Sequence, residues 1–229
     1  MIKCKSPAWY TARIGKFTAS NFGKIMSIPS NKNVVFSKTA LNTIEKAAAQ
    51  LYYNDYFEKG DNEASTWGQD NEVKALNEFC KRTGFRFEDA GFIQSAEIED
   101  IGCTPDAYIL DESTSEKLIA EVKCPFSSNN HKLYSRKISS KETLKEISPY
   151  YYWQTQGEML VTGANNCYFI SYDPRIKTDK NIHFVKIIKD EKAILFLQNK
   201  LKMAIEIRNK ILKDFMVGVK MPKPLNKYW

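Results

Sequence analysis

A Pro-Asp step at Pro105-Asp106 and a Glu-x-Lys pattern at Glu121-Val122-Lys123 bracket two short apolar runs, and no other stretch constrains the fold as tightly. The first run is Ala107 to Leu110 and the second Leu118 to Val122, with a polar, turn-like stretch from Asp111 to Ser115 between them. Apolar runs of this length separated by turn residues read as a β-hairpin. Residues two apart on a strand share a face, so Glu121 and Lys123 point together onto one surface while Leu118, Ala120 and Val122 point into the core. The hairpin returns Asp106 beside them. Two carboxylates can hold a hard cation such as Mg²⁺. A lysine beside them can orient or help deprotonate a water, and the metal can stabilise charge on a phosphoryl oxygen. Surface strands also carry Glu and Lys as plain solvated charges, so the rest of the chain decides between the two readings.

The 229 residues suffice for a substantial core and suggest one domain. A hydrophobic content of 43% with 27% charged residues is ordinary for a globular chain and argues against disorder. No apolar run approaches the ~20 residues needed to span a bilayer, and the stretch after Met1 lacks the apolar segment of a secretory signal. A soluble, cytoplasmic protein is expected. The net charge of +7 favours a polyanionic partner such as nucleic acid. The cysteines (Cys4, Cys80, Cys103, Cys124, Cys167) are scattered without CxxC spacing, which fits reduced thiols and argues against a zinc site, a disulfide frame or an iron–sulfur cluster. His131 and His183 are too few for a histidine metal site and read as surface or satisfied core residues.

Periodicity predicts a short helix after Thr18-Ala19-Ser20, capped by Thr18 or Ser20, a helix over 38–57, and another over 64–83 stopped by Gly84. Strands are expected at 86–94, 97–101, 104–110 and 117–123. A helix opened by Pro149 runs through Val161, followed by strands at 166–172 and 182–188. A long amphipathic helix from Glu191 to Phe215 leads into a tail rich in Pro and Lys, Lys213 to Trp229. This order predicts an α/β (α+β) fold, a mixed central sheet flanked by helices.

Three further groups could carry chemistry. Glu72 shares a helix face with Leu76 and Phe79, where a carboxylate is costly unless paired or metal-bound; the bland alternative is a boundary residue reaching solvent. Gln154 and Gln156 follow Tyr150 to Trp153. The aromatics can pack in the core or stack on bases, and a glutamine facing the sheet end can bond a water or a phosphate. Arg13, with Gly15, Thr18 and Ser20, could build a phosphate pocket at a helix start.

The hairpin pattern resembles the PD-(D/E)xK nuclease superfamily, whose restriction-endonuclease-like core has the predicted element order. Further blocks resemble the phage lambda exonuclease, or YqaJ-type viral recombinase, family. They are Trp9 to Ser20, Trp67-Gly68 with Glu72, Thr104-Pro105-Asp106, Glu121 to Phe126, Gln154-Thr155-Gln156 and Tyr172-Asp173-Pro174-Arg175, in the family's order. The resemblance implies a Mg²⁺-dependent 5′→3′ exonuclease that degrades one strand of duplex DNA from its end. It implies two metal ions per site, with Mn²⁺ able to substitute, and Asp106, Glu121 and the Val122 carbonyl as protein ligands. Lys123 would position or activate water, Glu72 would act near the second metal, Gln154 would orient water and phosphate, and Arg13 and Ser20 would hold the 5′-phosphate. It also implies a homotrimeric ring around DNA, a single-strand annealing partner, and a phage or prophage gene acting in a bacterial host. On this resemblance residues 1–229 form one nuclease domain: a helical phosphate-binding region over 1–83, a catalytic sheet core over 84–189, and a C-terminal helix and tail over 190–229. Tyr172 to Arg175 reads as a structural strand-ending turn. The alternatives are a restriction-like or structure-specific endonuclease of the same superfamily and an inactive DNA-end-binding protein.

Overall fold

The computed structural model describes residues 2–57, 62–114 and 116–217. Most of the Pro- and Lys-rich tail, from residue 218, lies outside the described residues. The helices are α1 (Pro7–Ala12), α2 (Ala19–Ile25), α3 (Lys38–Tyr53), α4 (Glu63–Thr83), α5 (Ser128–Lys137), α6 (Lys141–Ile147), α7 (Pro149–Thr162) and α8 (Glu191–Phe215). The strands are β1 (Phe17–Thr18), β2 (Arg86–Glu88), β3 (Ile93–Gln94), β4 (Ile101–Cys103), β5 (Ala107–Leu110), β6 (Leu118–Lys123), β7 (Asn166–Tyr172) and β8 (Ile182–Ile188).

The predicted mixed sheet is present, in the order β2-β5-β6-β7-β8. Only β6 and β7 run parallel, and the crossover between them carries α5, α6 and α7. A second, small sheet has the order β1-β4-β3. The expected β5–β6 hairpin is present, with Ala107 opposite Ala120 and Ile109 opposite Leu118.

The large sheet is covered on both faces, as a parallel step with helical crossovers requires. On one side Leu118, Ala120 and Val122 join Ala75, Leu76 and Phe79 of α4 in one apolar cluster. On the other, Ile119 and Phe169 belong to a larger cluster with Phe22, Tyr152, Met159 and Leu201. The alternation along β6 is therefore right, but the expected polar surface is not a surface. Glu121 lies on the α7 side and is 1% exposed.

Three boundaries depart from expectation for local reasons. The stretch 86–94 is two strands in different sheets, because Asp89 accepts from the Gly91 N–H (2.9 Å) in a turn where Gly91 takes φ 59°, a left-handed conformation suited to glycine. The expected strand 97–101 is a turn until Ile101: the Ser95 hydroxyl accepts from the N–H groups of Glu97 and Ile98. The helix predicted over 38–57 ends at Tyr53, where Asn54 turns left-handed (φ 48°) and caps it. Gly84 stops α4 as predicted, and Pro149 starts α7. Thr18 is the N-cap residue of α2 by position, yet its side chain makes no capping bond there.

Helices α2 and α7 pack with almost no room between them. A Cβ on Gly157 would lie 2.1 Å from Phe22, and one on Gly23 would lie 2.7 Å from the Tyr150 backbone. This approach seats the middle of α7 against the sheet and beside the start of α2, where the polar residues of both helices share one cleft.

Candidate active site

The cleft has a volume of about 280 Å³ and opens at the C-terminal end of β6. Its walls include Glu72 from α4, Asp106 from the turn before β5, Glu121 and Lys123 from β6, and Gln154 and Glu158 from α7. Arg13, Thr18 and Ser20 from the N-terminal segment line it too, as do Lys5 and Asp89. Arg13, Ser20, Glu72, Asp106, Glu121, Lys123 and Gln154 all reach this one cleft, although Glu72 and Gln154 are far apart in the chain. Gln156 does not. It is fully buried, bonds the Ile188 carbonyl (3.1 Å) and accepts from the Asp190 N–H (2.8 Å), so it ties α7 to the β8–α8 junction. Two residues apart on a helix point to nearly opposite sides.

Asp106 is locked to the hairpin twice. Its N–H continues the ladder to the Ala120 carbonyl (3.0 Å), and its Oδ2 accepts from the Val122 N–H (2.6 Å). Lys123 pairs with Glu121 on the same strand face, and its ammonium lies 4.7 Å from the centre of the Tyr151 ring. Gln154 Nε2 donates to Glu158 Oε1 at 3.2 Å.

The carboxylates crowd one another. Burial pushes the Asp106 carboxyl well above its usual range, and the charges of Glu121 and Glu72 add to this against Lys123 and the Val122 N–H. Burial and then Glu121 raise Glu72 in the same way. Glu158 is pushed well up by burial, then by Glu121 and Asp106. Burial alone would lower the Lys123 ammonium, but Glu121 and Asp106 outweigh it and hold it charged.

Glu158 escaped sequence reasoning. It lies four residues after Gln154, one helical turn on the same face, and that spacing was the available signal. Its Oε2 and Glu121 Oε2 are both buried with no hydrogen-bond partner. Both residues line the cleft, and buried carboxylate oxygens without partners are what a hard cation satisfies, so the donor set suits an oxygen-liganded divalent metal. Among the described residues no three His, Cys, Asp or Glu side chains stand arranged around a common point as a metal cage. The positive charge beside Glu121 is instead supplied by Lys123.

Arg13 is 5% exposed. Its guanidinium lies 3.9 Å from the Trp9 ring centre and donates to the Tyr56 hydroxyl (3.0 and 3.2 Å) and to Thr18 Oγ1 (3.5 Å). Thr18 Oγ1 also meets Ser20 Oγ at 3.1 Å, which explains why it does not cap α2. Tyr56 and Thr18 use only part of a guanidinium's five donors.

The remaining motifs are structural. Asp173 is fully buried and bonds the Arg175 guanidinium at 2.8 and 2.9 Å. Arg175 also holds the carbonyls of Pro125 and Phe126 (3.3 and 3.0 Å) and stacks on Trp67, so it clamps the segment leaving Lys123 against α4. Tyr152 and Trp153 are core residues and only Tyr150 is substantially exposed, which favours packing over base stacking. His131 is a satisfied core residue between Ser171 (2.8 Å) and the Lys180 carbonyl (2.9 Å).

The fold is shared with solved exonucleases. The alkaline exonuclease LHK-Exo from Laribacter hongkongensis superposes with a TM-score of 0.77 at 22% identity, covering 92% of this chain and 96% of that one. LHK-Exo in complex with dAMP gives 0.76 at 23% identity over the same shares. A phage related exonuclease from Haemophilus somnus 129PT gives 0.67 at 18%, over 90% of this chain and 96% of that one. At these identities the likeness is one of fold, the mixed α/β core expected from the element order. No curated protein matches the chain. The model of the YqaJ-like viral recombinase domain matches residues 8–165, a stretch that contains every cleft residue from Trp9 to Glu158, and the chain belongs to that family.

Proposed function

We propose that this protein is a Mg²⁺-dependent 5′→3′ exonuclease that degrades one strand of linear duplex DNA from 5′-phosphorylated ends. The observation that carries the reading is the convergence of Glu72, Asp106, Glu121 and Lys123 in one cleft with Arg13 and Ser20. Membership of the recombinase family and a fold shared with exonucleases support it.

Bound divalent cations supply Lewis-acid stabilisation of the phosphoryl oxygens and a more acidic water. Asp106, Glu121 and the Val122 carbonyl would hold the first cation and Glu72 would serve a second, with Mn²⁺ able to substitute for Mg²⁺. Lys123 would position or activate the attacking water, its ammonium held charged by Glu121 and Asp106. Gln154 orients water and scissile phosphate from α7. Arg13 offers a fork of donors and Ser20 a hydroxyl to the terminal phosphate, a charge-assisted contact that a 5′-hydroxyl end cannot make. Trp9 and Tyr56 hold the guanidinium in place before DNA arrives.

The same proposal includes action as one nuclease domain, a homotrimeric ring threaded by DNA, and cooperation with a single-strand annealing protein in recombination. The net charge of +7 suits a polyanion passing close to the protein.

The test is cleavage of a linear duplex with one 5′-phosphorylated end, with Mg²⁺ or with EDTA, beside a closed circular duplex. Mononucleotide release from the phosphorylated end that needs Mg²⁺ and spares the circle is the expected result. Cutting of the circle would make the protein an endonuclease, and binding without cleavage would make it a DNA-end protein.

A further inference from the structure

We propose that Glu158 is an additional carboxylate ligand of the cation site, acting from α7 opposite Glu121; the inference rests on the metal-dependent reading above. Glu121 and Glu158 are each 1% exposed and stand on different elements, β6 and α7. Each leaves its Oε2 buried with no hydrogen-bond partner. A carboxylate oxygen taken out of water without a partner is strongly unfavourable, and two such groups side by side oppose one another's ionisation.

The neighbouring donors satisfy the other oxygens. Lys123 pairs with Glu121 Oε1, Gln154 donates to Glu158 Oε1, and the Val122 N–H holds Asp106 Oδ2. Gln154 therefore acts on Glu158 as a positioning residue: its amide fixes one oxygen and leaves the second unpartnered. Cys103 and Cys167, both fully buried, lie close enough to feel the charge of Glu158. A thiol is too weak a donor to satisfy a carboxylate. A divalent cation that prefers several oxygen ligands accounts for both orphaned oxygens at once. The competing account is a protonated Glu158 that donates to the Glu121 carboxylate, which lies within hydrogen-bonding reach of it.

The test is calorimetric titration of the full chain with MnCl₂ and with MgCl₂ in the absence of DNA, for the unmodified protein, Glu158→Gln and Asp106→Asn. Thermal unfolding of each in EDTA and in saturating cation accompanies it. Glu158→Gln should weaken cation affinity by about tenfold or more and shrink the cation-induced rise in Tm. Its Tm in EDTA should equal or exceed that of the unmodified protein, which also shows that the variant folds. Unchanged affinity in Glu158→Gln overturns the proposal and leaves the protonated, structural carboxyl. If Asp106→Asn loses binding while Glu158→Gln keeps it, the metal-dependent reading survives and this inference alone fails. If the unmodified protein gives neither heat nor a Tm shift with either cation, both fall together.

Discussion

The Val122 N–H donates to Asp106 Oδ2 at 2.6 Å, across the hairpin and one residue short of Lys123. This bond fixes the side chain of Asp106 relative to Glu121 without help from any other element. It makes the Asp106–Glu121 pair a property of the hairpin, whereas Glu72, Gln154 and Glu158 depend on how α4 and α7 dock.

Asp106→Ala should lower cleavage of a linear duplex on the order of 10³-fold or more, the scale seen when one member of a catalytic unit is removed. Binding of DNA ends should persist or strengthen, because carboxylate–phosphate repulsion is relieved. The Val122 N–H loses its acceptor, a cost of about 1–3 kcal/mol, partly offset by removing a charge that Glu121 and Glu72 oppose. Single-turnover cleavage and an end-binding assay on the same preparation check this; ordinary turnover by the variant would take Asp106 out of the site.

Lys123→Ala should slow the chemical step by about 10²–10⁴-fold, the range for a positioned proton-handling group, while leaving cation affinity undiminished or stronger. The ammonium neutralises Glu121 and sits over the Tyr151 ring, so the variant also exposes Glu121 to a cation without competition. Rate measured against Mg²⁺ concentration separates the effects. A variant restored to full rate by raising Mg²⁺ contradicts the role given to Lys123.

The hairpin and the return of Asp106 beside Glu121 were legible in the sequence because strand alternation and a turn are local signals. The end of α4 and the start of α7 were legible from Gly84 and Pro149. What escaped depended on contacts distant in the chain. Glu121 was expected on a surface because the strand does not reveal that α7 covers it. Glu158 had no signal beyond its spacing from Gln154, and its meaning comes from facing β6. Helix α1 is too short to show a period. Helix α5 carries only His131 and Tyr134 as buried residues, too few to mark a face. The motif Tyr172 to Arg175 was correctly read as a turn, but its grip on Pro125 and Phe126 joins segments some fifty residues apart.

Arg13→Ala should abolish the preference for 5′-phosphate over 5′-hydroxyl ends, measured as the ratio of kcat/KM on the two substrates. The guanidinium also stacks on Trp9 and bonds Tyr56, so a loss of about 1–3 kcal/mol in stability is expected beside it. Arg13→Lys separates the two effects. It keeps the charge but not the planar fork, so some of the phosphate preference should return while the bond pair to Tyr56 does not. An intact preference in Arg13→Ala places the phosphate pocket elsewhere.

The crowded carboxylates should make the metal-free protein more stable as pH falls from neutrality towards about 5, against the opposite pull of His183, whose imidazole is pushed down by burial. Asp106, Glu72 and Glu158 all have carboxyls raised in the folded state, chiefly by burial and then by one another or Glu121. Between the unfolded values, about 3.9 for Asp and 4.3 for Glu, and the raised folded values, the folded chain binds more protons than the unfolded one. Stability then declines as pH rises through that window. Asp173 has the opposite sign, since its carboxyl is lowered to about 2 despite burial by the Arg175 guanidinium and its bonds. Its contribution is complete above about pH 4 and is lost only as pH falls further, so it does not offset the slope between 5 and 8. A saturating divalent cation should flatten or reverse that slope, because it stabilises the ionised carboxylates. Tm measured in EDTA and in Mg²⁺ across pH 5 to 8 reads both trends, and a Tm in EDTA that rises with pH across this range would show that the crowded carboxylates do not govern stability here.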